Sequence, residues 1–254
     1  MFRRKAFAYY LFFGLNMVLF PYVFADEITM GVGFALPPYV IQESSSGIEI
    51  DILREAFAVK GHTVKFEYLP NVRTLLLFEA GKLDGTINVK KGTMLTGYYS
   101  DDVITFQNVA VSLKENNLSI EKILDLADNR FRVLAFQNAS KVLGDEFSKV
   151  AEKNIFYKEI ADQSIHSLLL LKGRVDVLVS DRRILFYHLM KARMSNKLNP
   201  EEQQLKLRMH DIFPPTKYQF VFKSEKIRDD FNEGLKVIRE NGAYEAIIKR
   251  YQDY

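Results

Sequence analysis

The residue types that make and break bonds are sparse in this chain, and their spacing does not suit catalysis. There is no cysteine, so a thiolate nucleophile, a disulfide framework and a Cys-ligated metal are all excluded. The four histidines, His62, His166, His188 and His210, are scattered without ligand spacing. No Gly-rich phosphate loop, Gly-x-Ser-x-Gly elbow or His-Glu-x-x-His helix occurs. What remains are groups suited to holding a polar solute. Tyr39 sits on a loop stiffened by Pro37 and Pro38, directly after an apolar strand. Asp181 follows another apolar strand and precedes Arg182-Arg183, a position from which a carboxylate also caps a helix. Ligands of open α/β sheets lie outside the carboxyl ends of the strands, so Leu36 to Tyr39 is the first place to expect a binding site.

The elements that must position these groups alternate between strand and helix. Strand Ile28 to Gly33 leads through the loop to a helix from Ile50 that closes at Lys60-Gly61, followed by a strand over Thr63 to Tyr68. A helix over Thr74 to Ala80 ends at Gly81, a left-handed C-cap, and Leu83 to Val89 is the next strand. This β-α-β-α-β order predicts a parallel sheet flanked by helices. Asp51 and Asp84 are read as structural, fixing helix and turn ends. After a hydrophobic strand at Asn108 to Leu113 and a short helix from Ser119 to Leu126, the plan repeats. The second series is strand Phe131 to Phe136, helix Lys141 to Lys153, strand Ile155 to Tyr157, helix Ile165 to Lys172, strand Val175 to Val179 and helix Arg182 to Arg193. Gly81-Lys82-Leu83-Asp84 is echoed by Gly173-Arg174-Val175-Asp176, and a repeat that long suits two similar α/β lobes rather than a solenoid. A last strand over Tyr218 to Phe222 precedes helices at Glu225 to Glu240 and Ala243 to Tyr251, both apolar at helical spacing.

Residues 1–25 have the pattern of an export signal: basic Arg3-Arg4-Lys5, an apolar run from Ala6 to Phe20, and Val23-Phe24-Ala25 ending in a small residue. The alternative is a retained anchor, for which the apolar run is short against the roughly 20 residues of a span. Of the 35 basic and 32 acidic residues, the leader holds three basic and no acidic ones. The remaining chain is therefore formally neutral, and the basic pI is no argument for nucleic acid. An exported protein without disulfides must be stabilised by packing alone, which fits the periplasm.

The order of elements, with Pro37-Pro38-Tyr39, Gly47-Ile48-Glu49-Ile50-Asp51-Ile52, Gly81-Lys82-Leu83-Asp84-Gly85, Gly173-Arg174-Val175-Asp176 followed by Asp181, and Ile238 to Tyr244 followed by Tyr251, resembles the bacterial extracellular solute-binding protein family 3. The resemblance spans residues 26 to 254. It implies the two-lobed type II periplasmic binding fold, each lobe a mostly parallel sheet flanked by helices, joined by a two-segment hinge. Lobe 1 would hold 26–110 and 220–254, and lobe 2 would hold 111–219.

The same resemblance assigns roles to particular residues. Tyr39 would cover the ligand, and Asp181 would hold an α-ammonium through a charge-assisted bond. Gln137, Asn138 and Ser140 would meet a ligand carboxylate, Ser140 through its hydroxyl. If Asp181 serves only the ligand, its replacement by alanine costs binding and leaves the melting point of the free protein nearly unchanged. One departure stands out. Amino-acid receptors usually carry a carboxylate-gripping arginine soon after the third strand, and Asn88-Val89-Lys90-Lys91-Gly92-Thr93-Met94-Leu95-Thr96-Gly97 contains none. Asn88, Lys90, Lys91 and Arg73 are the substitutes in reach, although a lysine is a point charge and not a bidentate fork.

The expected function is a non-enzymatic periplasmic receptor that captures a small polar solute, an amino acid or a related compound, by cleft closure. It would act as a monomer without a cofactor, serve the permease of an ABC-type importer, and bind no nucleic acid. Two alternatives are a dehydratase of cyclic aromatic precursors on the same scaffold, with a cleft Glu or His as general acid, and a ligand-sensing partner of a membrane signalling protein.

Overall fold

The computed structural model describes residues 26–33, 36–90, 92–93 and 95–252. The expected leader, residues 1–25, lies outside them. The first series of elements is β1 (Glu27–Gly33), α1 (Ile48–Val59), β2 (Thr63–Leu69), α2 (Asn71–Glu79) and β3 (Gly85–Lys90), followed by the short β4 (Tyr98–Tyr99) and β5 (Ile104–Phe106). In β1, Ile28, Met30 and Val32 are buried, the alternation that turns one face of a strand to a core. β1 pairs in parallel with β2 on one side and β3 on the other.

The second series is β6 (Asn108–Leu113), β7 (Val133–Phe136), α3 (Ala139–Val142), α4 (Asp145–Lys153), β8 (Lys158–Ile160), α5 (His166–Leu171), β9 (Val177–Asp181), α6 (Arg182–Met194), α7 (Pro200–Gln204) and β10 (Leu207–His210). β11 (Thr216–Phe222), α8 (Glu225–Glu240) and α9 (Ala243–Arg250) complete the chain. The first sheet has the order β2-β1-β3-β11-β4, with β5 also on β11, and the second has the order β10-β6-β9-β7-β8. Two α/β lobes result. The chain crosses between them at Gln107, from β5 to β6, and again between β10 and β11.

Several expected elements moved, each for a local reason. The strand expected at Ile155 to Tyr157 starts at Lys158 instead. Asn154 donates its side-chain amide to the carbonyls of Leu126, Asp128 and Phe131, which locks a turn there, and Ile155 and Phe156 are exposed. The helix expected over Lys141 to Lys153 is broken into α3 and α4 at Gly144, whose φ of 95° lies in the left-handed region. The helix expected over Ser119 to Leu126 is a 3-10 segment at Ile123–Ala127. α7, capped by Asn199 with Glu202 reaching back, and β10 were not expected from the sequence.

Each lobe has its own core. In lobe 1 Phe57 meets Phe222 edge-on at 5.8 Å and Phe231 at 5.4 Å. In lobe 2 Phe147 meets Phe213 edge-on at 5.5 Å, above Val133, Val177 and Val179. The C-terminal helices return to lobe 1. Gly234 of α8 lies so close to α1 that a Cβ there would meet the Ala56 carbonyl oxygen at 1.9 Å. Asp51 and Asp84 are structural. Asp51 accepts from the Tyr251 hydroxyl at 2.7 Å and from Arg250 at 2.8 Å, and Asp84 accepts from Thr29 N at 2.8 Å.

Candidate functional site

The loop after β1 folds onto the start of α1. Ile48 N and Glu49 N donate to the carbonyls of Pro38 and Tyr39, so the loop satisfies helix-start amides that a capping side chain otherwise would. Gly47 makes this possible: its φ is 124°, and a Cβ would meet the Tyr39 carbonyl oxygen at 2.4 Å. The chain therefore delivers the Tyr39 ring into the seam between the lobes. The ring is fully buried and stacked on Phe106, with centroids 3.9 Å apart and planes 13° from parallel. The Tyr39 hydroxyl donates to Asp181 Oδ1 at 3.0 Å.

Asp181, the last residue of β9, is buried too and fully engaged. Oδ1 also accepts from Arg183 N at 2.9 Å and Ile184 N at 3.2 Å, capping α6, while Oδ2 accepts from Gln107 N at 2.9 Å. Burial raises its carboxyl above the usual range, against the pull of the Ile184 amide, Tyr39 and the Gln107 amide. Burial, followed by the charge of Asp181, pushes the Tyr39 phenol well above its ordinary value. Arg183 joins the group by donating to Thr105 O at 3.2 Å and Tyr39 Oη at 3.5 Å.

The other lobe 1 candidates are less gathered. Asn88 lies within β3 in a left-handed conformation, φ 58°, at a shift in register against β11, and its side-chain amide donates to Glu49 Oε2 at 2.9 Å. Lys90 and Arg73 are exposed, the latter in the first turn of α2. Lys91 lies outside the described residues.

In lobe 2, Gln137 and Asn138 are exposed and Ser140 is half-buried. The backbone amides of Asn138 and Ser140 converge on a carboxylate, and it is the protein's own: Glu159 accepts from Asn138 N at 2.7 Å and Ser140 N at 2.9 Å. The Tyr157 hydroxyl adds a third bond at 2.7 Å. Burial alone would raise the Glu159 carboxyl, but the Ser140, Tyr157 and Asn138 donors outweigh it and hold the group below its usual range.

A cavity of about 520 Å³ opens between the lobes beside this seam. Lobe 1 contributes Leu36, Pro37 and Glu43, and lobe 2 contributes Asp162 to Ser164, Tyr187, His188 and Lys191. Leu36 and Pro37 belong to the loop expected to bear the site, whereas Tyr39, Arg73, Asn88, Lys90, Gln137, Asn138, Ser140 and Asp181 do not line the cavity. Lys191 Nζ stands over the Tyr187 ring at 5.6 Å, and Tyr187 meets His188 edge-on at 5.2 Å. Burial, reinforced by His166, pushes His188 down to about 4 against the pull of Asp162. His188 is therefore a neutral imidazole at neutral pH, able both to donate and to accept.

The fold is similar to that of solved structures along nearly their whole length. An ancestral arginine-binding protein bound to arginine has a TM-score of 0.66 at 18% identity, with 89% of this chain and 98% of that one covered. A histidine kinase sensor domain with similarity to periplasmic binding proteins has a TM-score of 0.67 at 17% identity, covering 89% and 96%. An ancestral amino acid-binding protein described as a precursor of cyclohexadienyl dehydratase has 0.66 at 16%, covering 89% and 95%. This chain has the two-lobed periplasmic binding-protein fold. No protein-family model and no curated sequence matches it, so the likeness is carried by the structure.

Within the binding-protein fold, sequence reasoning missed Glu49, Phe106, Gln107, Glu159, Arg183 and the cavity lining on α6. Glu49 left a trace in the sequence, as one of two acids, with Asp51, that alternate with isoleucines at the start of a helix. Glu159 left none, because an acid on a short strand reads as solvated until the amides it faces are known.

Proposed function

We propose that this protein is an exported receptor that captures a small polar solute, an amino acid or a related compound, between its lobes and hands it to a membrane partner without chemical change. The observation that supports this most is the 520 Å³ cavity, whose walls come from both lobes and combine an aromatic ring, a cation, carboxylates and a neutral imidazole. A small-molecule site is a concave space with a few convergent polar groups. Closure about the two crossings would couple occupancy to lobe position, the form of signal that an importer permease reads. Within this class, the arginine-free run after Asn88 and the Glu159 carboxylate already on the Asn138 and Ser140 amides favour a solute without a carboxylate at that position.

A thermal-shift screen of the purified protein against amino acids, polyamines, small carboxylates and sugars tests the proposal. A ligand at 100 times its Kd stabilises by about 2.7 kcal/mol, an easily measured shift. If no solute in any class stabilises the protein, the receptor reading falls.

Two other readings have support. An enzyme is favoured by one likeness, that to an ancestral protein described as a precursor of cyclohexadienyl dehydratase. Turnover of a cyclohexadienyl substrate would establish that reading in place of the first. The likeness to a sensor domain favours a signalling partner, and binding to an isolated permease rather than to a sensor kinase separates the two.

A further inference from the structure

Glu49 is completely buried in the first turn of α1, at the cleft end of the lobe 1 sheet. Its Oε2 accepts from Asn88 Nδ2 at 2.9 Å. Two oxygens of the same pair, Glu49 Oε1 and Asn88 Oδ1, are buried and have no hydrogen-bond partner. As a carboxylate and an amide this arrangement is costly, since both groups present acceptors and a buried acceptor without a donor loses about 1–3 kcal/mol. A carboxylic acid and an amide, by contrast, complement each other on both edges. The amide N–H donates to one acid oxygen, and the acid O–H donates to the amide oxygen.

We infer that Glu49 carries a proton on Oε1 at neutral pH and donates it to Asn88 Oδ1, closing a two-bond ring that holds β3 against α1. One proton thereby satisfies both orphaned oxygens. The groups around the pair leave it no other partner. On α1, Asp51 is taken by Tyr251, Arg54 and Arg250. From β3 Asn88 bonds to it, and from β11 Tyr218 feels its charge. No cation pairs with Glu49 among the described residues, so ionisation would leave an uncompensated buried charge.

The ring has a mechanical consequence. Asn88 sits at φ 58°, a conformation Asn tolerates better than most residues, and it lies where the lobe 1 wall formed by β3 shifts register against β11. Glu49 is thus a positioning residue for that wall. On the receptor reading above, on which this last step rests, ionisation of Glu49 at alkaline pH loosens the wall and weakens solute binding.

Infrared spectroscopy of the ligand-free protein tests the proton directly. At pH 7 the wild type should show a protonated-carboxyl carbonyl band that is absent from Glu49→Gln and fades as pH rises through about 8. Asn88→Gly retains the positive φ and removes the acceptor, so the same band should persist and shift to the higher frequency of a carboxyl without a hydrogen-bond partner. Glutamine can make the same two-edged pair with Asn88 and has no proton to lose, so the wild-type unfolding midpoint should fall relative to that of Glu49→Gln as pH rises from about 4.5 to about 8, and the two should run parallel above that. Absence of the Glu49-dependent band at pH 7, or parallel unfolding profiles for wild type and Glu49→Gln between pH 4.5 and 8, overturns the inference. These readouts need no ligand, so they can fail or succeed independently of the solute screen.

Discussion

Tyr39 and Asp181, 142 positions apart in sequence, are joined across the lobes by a 3.0 Å hydrogen bond. Neither faces open solvent, since each is buried and each has other partners. The bond lies beside Gln107, where the chain crosses from the first sheet to the second, so it pins the lobes close to their hinge.

Tyr39→Phe keeps the ring stacked on Phe106 and removes only the hydroxyl. A hydrogen bond to a charged acceptor contributes about 1.5–3 kcal/mol, so the unfolding free energy should fall by that amount, seen as a lower urea midpoint with the m-value unchanged. An unaltered midpoint would mean that the bond contributes nothing to holding the lobes.

Asp181→Ala should be strongly destabilising. The sequence expectation was a change felt only in ligand binding, and the geometry reverses it. Alanine removes the cap of α6, worth about 0.5–2 kcal/mol, and leaves the Tyr39 hydroxyl and Gln107 N–H buried without acceptors. A combined loss of about 2–4 kcal/mol is expected in equilibrium denaturation. Asp181→Asn, which retains an oxygen for the cap, should lose less. A melting point for the alanine variant equal to that of wild type would restore the original expectation.

His188 makes stability depend on acid. Its folded pKa lies near 4, below the ordinary 6.5, so the unfolded chain takes up the proton first. Its contribution is complete above pH 6.5 and is lost as pH falls toward 4. Because the ring is partly solvated, the loss should be about 1–2 kcal/mol rather than the full value of the shift. His188→Gln should flatten that segment of the stability curve, and a curve unchanged by the substitution would show that another group governs it.

Gly234→Ala should destabilise the return of the C-terminal helices onto lobe 1. The new Cβ would overlap the Ala56 carbonyl, so α8 must move from α1, at about 1–3 kcal/mol for overpacking of this kind. Gly81→Ala is the control. Its φ is 67° and no atom lies near the added Cβ, so only backbone strain is introduced. A smaller loss at Gly234 than at Gly81 would contradict the close helix contact.

The sequence by itself determined the alternation of strands and helices, the duplicated plan and the two lobes. Those features follow from local periodicity: Ile28, Met30 and Val32 mark a strand, and Ile227, Phe231, Leu235 and Ile238 mark a helix, whatever they later pack against. It also singled out two short stretches, the loop bearing Tyr39 and the segment bearing Asp181, that meet at the seam. Tertiary structure alone decided what those residues touch. A tyrosine in a loop has the same sequence signature whether it faces a solute or a phenylalanine, and an aspartate before a helix has the same one whether its second oxygen is free or bonded to Gln107. The partners of a buried polar group are set by chain segments up to 142 positions away, and Glu159, the Glu49–Asn88 pair and the cavity on α6 became visible only when those segments were brought together.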